Sequence, residues 1–144
     1  MARMNAAEKA KTRVAVAKDV LKQLKAKKIR AQSNYGYCVP DDAGPCMVCA
    51  LGAAMVSRLR IKGAWSLVWR SSWWDRGAVT EELSDCFSHE QMLLIEDAFE
   101  SGPNEHYSPP ATPGELFGAR YRSDRGRLKA IMENIIANKG TFAP

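Results

Sequence analysis

Histidine is scarce in this chain, with two in 144 residues, and no apolar run approaches the roughly 20 residues of a membrane-spanning helix. The scarcity leaves His89 and His106 as the sole imidazoles for acid–base work or metal ligation, and neither stands in a recognisable catalytic context. Glycine-rich phosphate loops, the HExxH metalloprotease helix, the serine nucleophile elbow and the EF-hand calcium loop are all missing. Internal repeats, coiled-coil heptads and low-complexity tracts are missing too. The N-terminal stretch MARMNAAEKAKTRVAVAK is charged every few residues and holds no secretory apolar region, so the cytoplasm is the expected compartment.

What is present fits one globular domain over 1–144, since 46% of residues are hydrophobic and 26% charged. Residues 1–12 are expected to form a flexible basic tail. The net charge of +5 is unevenly divided: residues 1–31 carry ten Lys/Arg against Glu8 and Asp19, whereas the rest of the chain carries more acids than bases. The four cysteines are expected to be reduced thiols.

Helical spacing dominates. Val14, Ala17, Val20, Leu21, Leu24 and Ile29 predict an amphipathic helix from about Ala6 to Ile29 with a cationic polar face. Turn chemistry over 32–45 ends in Pro45, suited to open a second helix, CMVCALGAAMVSRL, whose Cys46, Cys49, Ala50, Ala53, Val56 and Leu59 would be buried. A connector follows with Trp65, Trp69, Trp73 and Trp74 inside ten residues, then a short helix from Thr80 to about Phe87. Ser88 and Gln91 form a capping-box pattern, with Phe87 and Met92 as a hydrophobic staple. Met92, Ile95 and Phe99 make that helix's apolar stripe, joined by Leu93 or Leu94. Residues 102–114 hold four prolines and read as a loop. Thr112, Pro113 and Glu115 start another short helix, and Leu128, Ile131, Met132, Ile135 and Ile136 mark the last, which stops near Asn138 and Gly140. No period-two pattern appears, apart from a short strand that VWRSSWW could form. The expected fold is therefore all-α, five or six helices with a Trp-rich connector and a Pro-rich loop.

Three chemistries are open to these residues. Cys46 and Cys49, three apart, with Cys86 and His89, also three apart, would supply four ligands of the kind zinc accepts, which makes zinc the one cofactor to consider. Cys46 behind Pro45 would also sit at a helix N-terminus, where a thiolate is favoured, but no base accompanies it, and buried thiols packing as small hydrophobes are the commoner arrangement. The lysine-rich helix face, Lys11, Lys18, Lys22 and Lys25, extended by Lys27, Lys28 and Arg30, could track nucleic-acid phosphates. Arg120, Arg122, Arg125, Arg127 and Lys129 could extend that footprint, and a solvated face facing the acidic segment 81–105 is the plain alternative. Trp65, Trp69, Arg70, Trp73, Trp74 and Arg76 combine the residue types that most often anchor protein interfaces.

Two segments, CALGAAM at 49–55 and FSHEQMLLIEDAFE with the ending IIANKGTFAP, resemble uncharacterised bacterial and phage proteins that have a Cys-Ala-Leu-Gly-Ala helix start after an early amphipathic helix. The resemblance implies a prokaryotic or phage origin and carries no activity or functional residue with it. Together these features favour a small non-enzymatic protein that binds a macromolecular partner, a protein first, as an inhibitor or regulator of a host system. The alternatives are a nucleic-acid binder using the N-terminal helix and a zinc-binding or cysteine-dependent module.

Overall fold

The computed structural model describes residues 3–33, 38–39, 45–64, 76–102 and 111–144. Six helices lie among them: α1 (Ala6–Lys25), α2 (Ala50–Ile61), α3 (Arg76–Leu83), α4 (His89–Glu100), α5 (Pro113–Gly118) and α6 (Asp124–Ala137). Three short strands, β1 (Ile29–Ala31), β2 (Cys38–Val39) and β3 (Cys46–Val48), form a sheet in the order β1-β3-β2. The helices carry the fold, as the hydrophobic spacing predicts, and the sheet is the unforeseen addition.

α1 starts at a capping box. The Asn5 side chain accepts the Glu8 backbone N–H at 2.9 Å, and the Glu8 carboxylate accepts the Asn5 N–H at 3.3 Å. Residues 6–12 are therefore the first turns of a helix, not a flexible tail. Val16, Ala17, Val20, Gln23 and Leu24 face the core. The helix ends four residues earlier than the apolar spacing implies, because Lys27 adopts a left-handed backbone with φ 59°. Its N–H bonds the Leu24 carbonyl at 3.2 Å and the Lys28 N–H bonds the Gln23 carbonyl at 3.0 Å, which closes the last turn. Ile29, counted above as the last helical apolar residue, is buried from β1 instead.

The second helix also begins later than Pro45 implies. Cys46–Val48 form the central strand, parallel to β1 with Ile29 opposite Cys46 and antiparallel to β2 with Cys38 opposite Val48. Cys46 and Val48 point inward while Met47 is half-buried, an alternation three residues long and too short to stand out in sequence. Cys49 is the N-cap of α2, its sulfur accepting the Gly52 N–H at 3.4 Å. From Ala50 to Ser57 every residue of α2 is buried, so this small-residue helix is the centre of the core. It packs against α1, α3 and α4, and α1 also packs on α6.

The Ser88 N-cap bonds the Gln91 N–H at 3.1 Å as predicted. The Gln91 side chain does not return to Ser88. It clamps the C-terminal segment, donating to the Phe142 carbonyl at 3.0 Å and accepting the Phe142 N–H at 2.7 Å. Phe142 is thereby buried edge-on against Phe117, with ring centroids 5.1 Å apart. Thr112 and Glu115 make the full reciprocal box at the start of α5. Leu94, not Leu93, turns toward the core beside Met92, Ile95 and Phe99.

Candidate nucleic-acid interface

On α1, Lys11, Lys18, Lys22 and Lys25 are separated by seven, four and three residues, spacings that return to one side of a helix. That side is opposite Val16, Ala17, Val20 and Leu24, and all four lysines are exposed. Lys27, Lys28 and Arg30 continue the exposed cations through the turn into β1. Over the 14 steps from Lys11 to Lys25 the stripe is about 20 Å long at roughly 1.5 Å per residue.

The two acids of this segment do not neutralise the stripe. Glu8 is held by Asn5 at the helix start. Asp19 is turned toward α2, where it meets Arg60 at 3.4 Å and accepts a hydrogen bond from Gln23 at 3.2 Å. Among the described residues none of the seven cations has a carboxylate within ion-pair distance. Lys22 and Lys25 lie in the last helical turn, where they also offset the partial negative charge of the helix end.

At that end lies a concavity of about 340 Å³. Leu24, Ile29, Ala31 and Pro45 supply apolar walls, and Lys27, Arg30 and Arg125 stand around them. Arg125 reaches over from α6 and donates to the Leu24 carbonyl at 3.2 Å. A larger concavity of about 640 Å³, near the start of α1, includes Arg3, Lys9, Arg58 and Lys62. There two of the cations are already paired, Arg58 with Asp85 at 2.7 Å and Lys62 with Glu82 at 2.9 Å. Burial pushes the Asp85 carboxyl up, but the hydrogen bond and charge of Arg58, together with Lys62, outweigh it and hold the group below its ordinary range.

The second basic cluster is divided by the fold. Arg127 is buried and donates to the carbonyls of Phe99 at 2.8 Å, Tyr121 at 2.9 Å and Arg122 at 3.2 Å, and it also bonds the Asp124 carboxylate. It is a structural clamp and cannot meet a phosphate. Lys129 pairs with Glu133 at 3.7 Å, and Arg120 lies over the Phe117 ring. Arg125 is the member that joins the α1 surface.

Cys46, Cys49, Cys86 and His89 are not brought together as ligands. The three cysteines are buried, His89 is exposed at the first position of α4, and among the described residues no three His, Cys, Asp or Glu side chains gather to hold a metal. Burial pushes the Cys49 thiol up to about 12, outweighing the Gly52 N–H that favours its thiolate. Burial, reinforced by Asp85, pushes Cys86 up to about 12 as well. Neither is an activated nucleophile. Cys46 is in a strand, so the helix-terminal position expected for it belongs to Cys49, whose sulfur is occupied as a cap.

Trp65, Trp69, Arg70, Trp73 and Trp74, the core of the expected protein-binding connector, lie outside the described residues. Arg76, the remaining member, starts α3 and is 3.9 Å from Glu96. No helix among the described residues is long and apolar enough to cross a membrane. No family model matches the chain, and no curated protein or solved structure matches it.

Proposed function

We propose that this protein binds nucleic acid through the outward face of α1 and the turn that follows it. The observation that carries this is the set of seven exposed cations, Lys11, Lys18, Lys22, Lys25, Lys27, Lys28 and Arg30, whose two local acids are engaged elsewhere. A solvated helix face needs only enough charge to stay wet, and opposite charges normally intersperse on it. A stripe of one sign held against a rigid core attracts a chain of phosphates and releases their counterions. The recognition is of backbone charge and not of sequence, because Lys side chains on a solvent-facing stripe present single charges without the bidentate geometry that reads base edges.

The test is the affinity for a fluorescent oligonucleotide measured across a range of salt concentrations. Each phosphate contacted contributes a slope of about −0.7 (single strand) to −0.9 (duplex) in log K against log salt, so a stripe of this size should give a total of roughly −3 to −6. A flat dependence, or no binding at low salt, rejects the assignment.

A further inference from the structure

We infer that the concavity at the C-terminal end of α1 seats an unpaired nucleotide, which makes single-stranded nucleic acid the preferred ligand; this rests on the nucleic-acid reading above. The two parts of the site are chemically different. The stripe offers charge alone, and a duplex or a single strand satisfies it equally. The concavity offers a small apolar surface from the half-buried Ala31 and Pro45, over the buried Leu24 and Ile29. In a duplex the base faces are stacked and covered, so such a surface meets only phosphate and sugar and gains nothing. A single strand can turn a base inward, bury its face and leave its phosphate outside.

The cations around the concavity stand where that phosphate would lie. Lys27, Arg30 and Arg125 line it, and no Asp or Glu is among its described lining residues. Arg125 is held in place by its bond to the Leu24 carbonyl at 3.2 Å, and its remaining guanidinium donors suit a phosphate oxygen pair. Lys27 occupies a left-handed position, φ 59°, where glycine costs less. Two of the carbonyls that would repel an anion at this helix C-terminus are covered, Leu24 by Lys27 and Arg125, and Gln23 by Lys28. The volume of about 340 Å³ falls within the roughly 300–1,000 Å³ of small-molecule sites. A mononucleotide would fill it but leave the lysines along α1 untouched, which is why a strand fits the whole surface.

Anisotropy measurements on the full chain at fixed salt would compare a 12-residue oligothymidylate, an abasic 12-mer of equal charge, a 12-base-pair duplex and a poly-glutamate peptide of equal charge. The oligothymidylate should bind about tenfold more tightly than the abasic strand, and Lys27→Gly, which relieves the backbone and so keeps the fold, should weaken its binding several-fold. Photocrosslinking with 4-thiothymidine in the strand should label the 24–31 segment or Pro45. Equal binding of the oligothymidylate and abasic strands, each still salt-dependent, would overturn the nucleotide seat and leave the phosphate-tracking function standing. Tighter binding of the duplex, or crosslinks confined to other segments, would overturn the seat as well. Binding of poly-glutamate but of no oligonucleotide would overturn both.

Discussion

Asp124 accepts two hydrogen bonds from Ser33, from its backbone N–H at 3.0 Å and its hydroxyl at 2.9 Å, joining positions 91 residues apart. The contact fastens the chain just beyond β1 to the first turn of α6, and so sets the spacing between Arg30 and Arg125 across the apolar concavity. The same carboxylate bonds the buried Arg127. Asp124→Ala should lower stability by about 2–3 kcal/mol, since it leaves a buried guanidinium short of a partner, whereas Ser33→Ala should cost about 1 kcal/mol. Urea unfolding of both variants checks this, and equal effects would show that Arg127 does not depend on Asp124.

Lys18→Ala, Lys22→Ala and Lys25→Ala should each reduce the magnitude of the salt slope by about 1 and weaken oligonucleotide binding without regard to base sequence. Their stabilities should stay within about 0.5 kcal/mol of the parent, because the side chains are exposed and, among the described residues, unpaired. Salt titrations paired with thermal unfolding separate the two effects. A large loss of stability would make these lysines structural.

Lys27→Gly should raise stability by about 1 kcal/mol, since φ 59° is strained for a residue with a Cβ and open to glycine. Binding should move the other way. Parallel changes in stability and affinity would mean that Lys27 serves the turn alone.

Gly118→Ala should cost about 3 kcal/mol or prevent folding. A Cβ there would lie 2.1 Å from the Ala98 carbonyl oxygen and 2.6 Å from that of Ser101, both backbone atoms that cannot rotate aside. α5 packs this closely on α4, and the midpoint of urea unfolding measures the penalty.

Cys49 and Cys86 should resist alkylation at pH 8, because a thiol pushed up to about 12 is ionised in only about one molecule in ten thousand there. Peptide mapping after brief iodoacetamide treatment, native against urea-unfolded, tests it residue by residue. The same shifts make stability pH-dependent. The folded state keeps these protons while the unfolded chain loses them from about 9, so stability should fall as pH rises from 9 toward 12, by about 1 kcal/mol per thiol at pH 10. The double variant Cys49→Ala, Cys86→Ala should show a flatter decline over that interval.

Helices, their caps and their buried stripes were legible because each is a local pattern: Thr112 with Glu115, Ser88 before α4, and the apolar spacing of α4 and α6 all lie within a few residues of what they determine. The lysine stripe was legible for the same reason, since a helix converts spacing directly into a face. The ends of the first two helices were not, nor those of α3, which runs Arg76–Leu83 where a helix from Thr80 to about Phe87 is expected. Ile29 and Cys46 continue a helical pattern in sequence, and they become strand residues because β1 and β3 pair in parallel across 17 positions, with the Cys46 N–H donating to the Lys28 carbonyl at 3.2 Å. Nor does sequence reveal that Gln91 would leave its own cap to hold Phe142, that Arg127 would be buried while Arg125 stays at the surface, or that Asp19 would turn from the lysines to Arg60.

Sequence by itself thus determined the helical class of this protein and the sign of its N-terminal face, both properties of neighbouring residues. Tertiary structure decided which charges remain available, where the thiols are silenced and how an apolar concavity comes to lie at the end of a cationic stripe, because those depend on desolvation and on partners that only packing brings within reach.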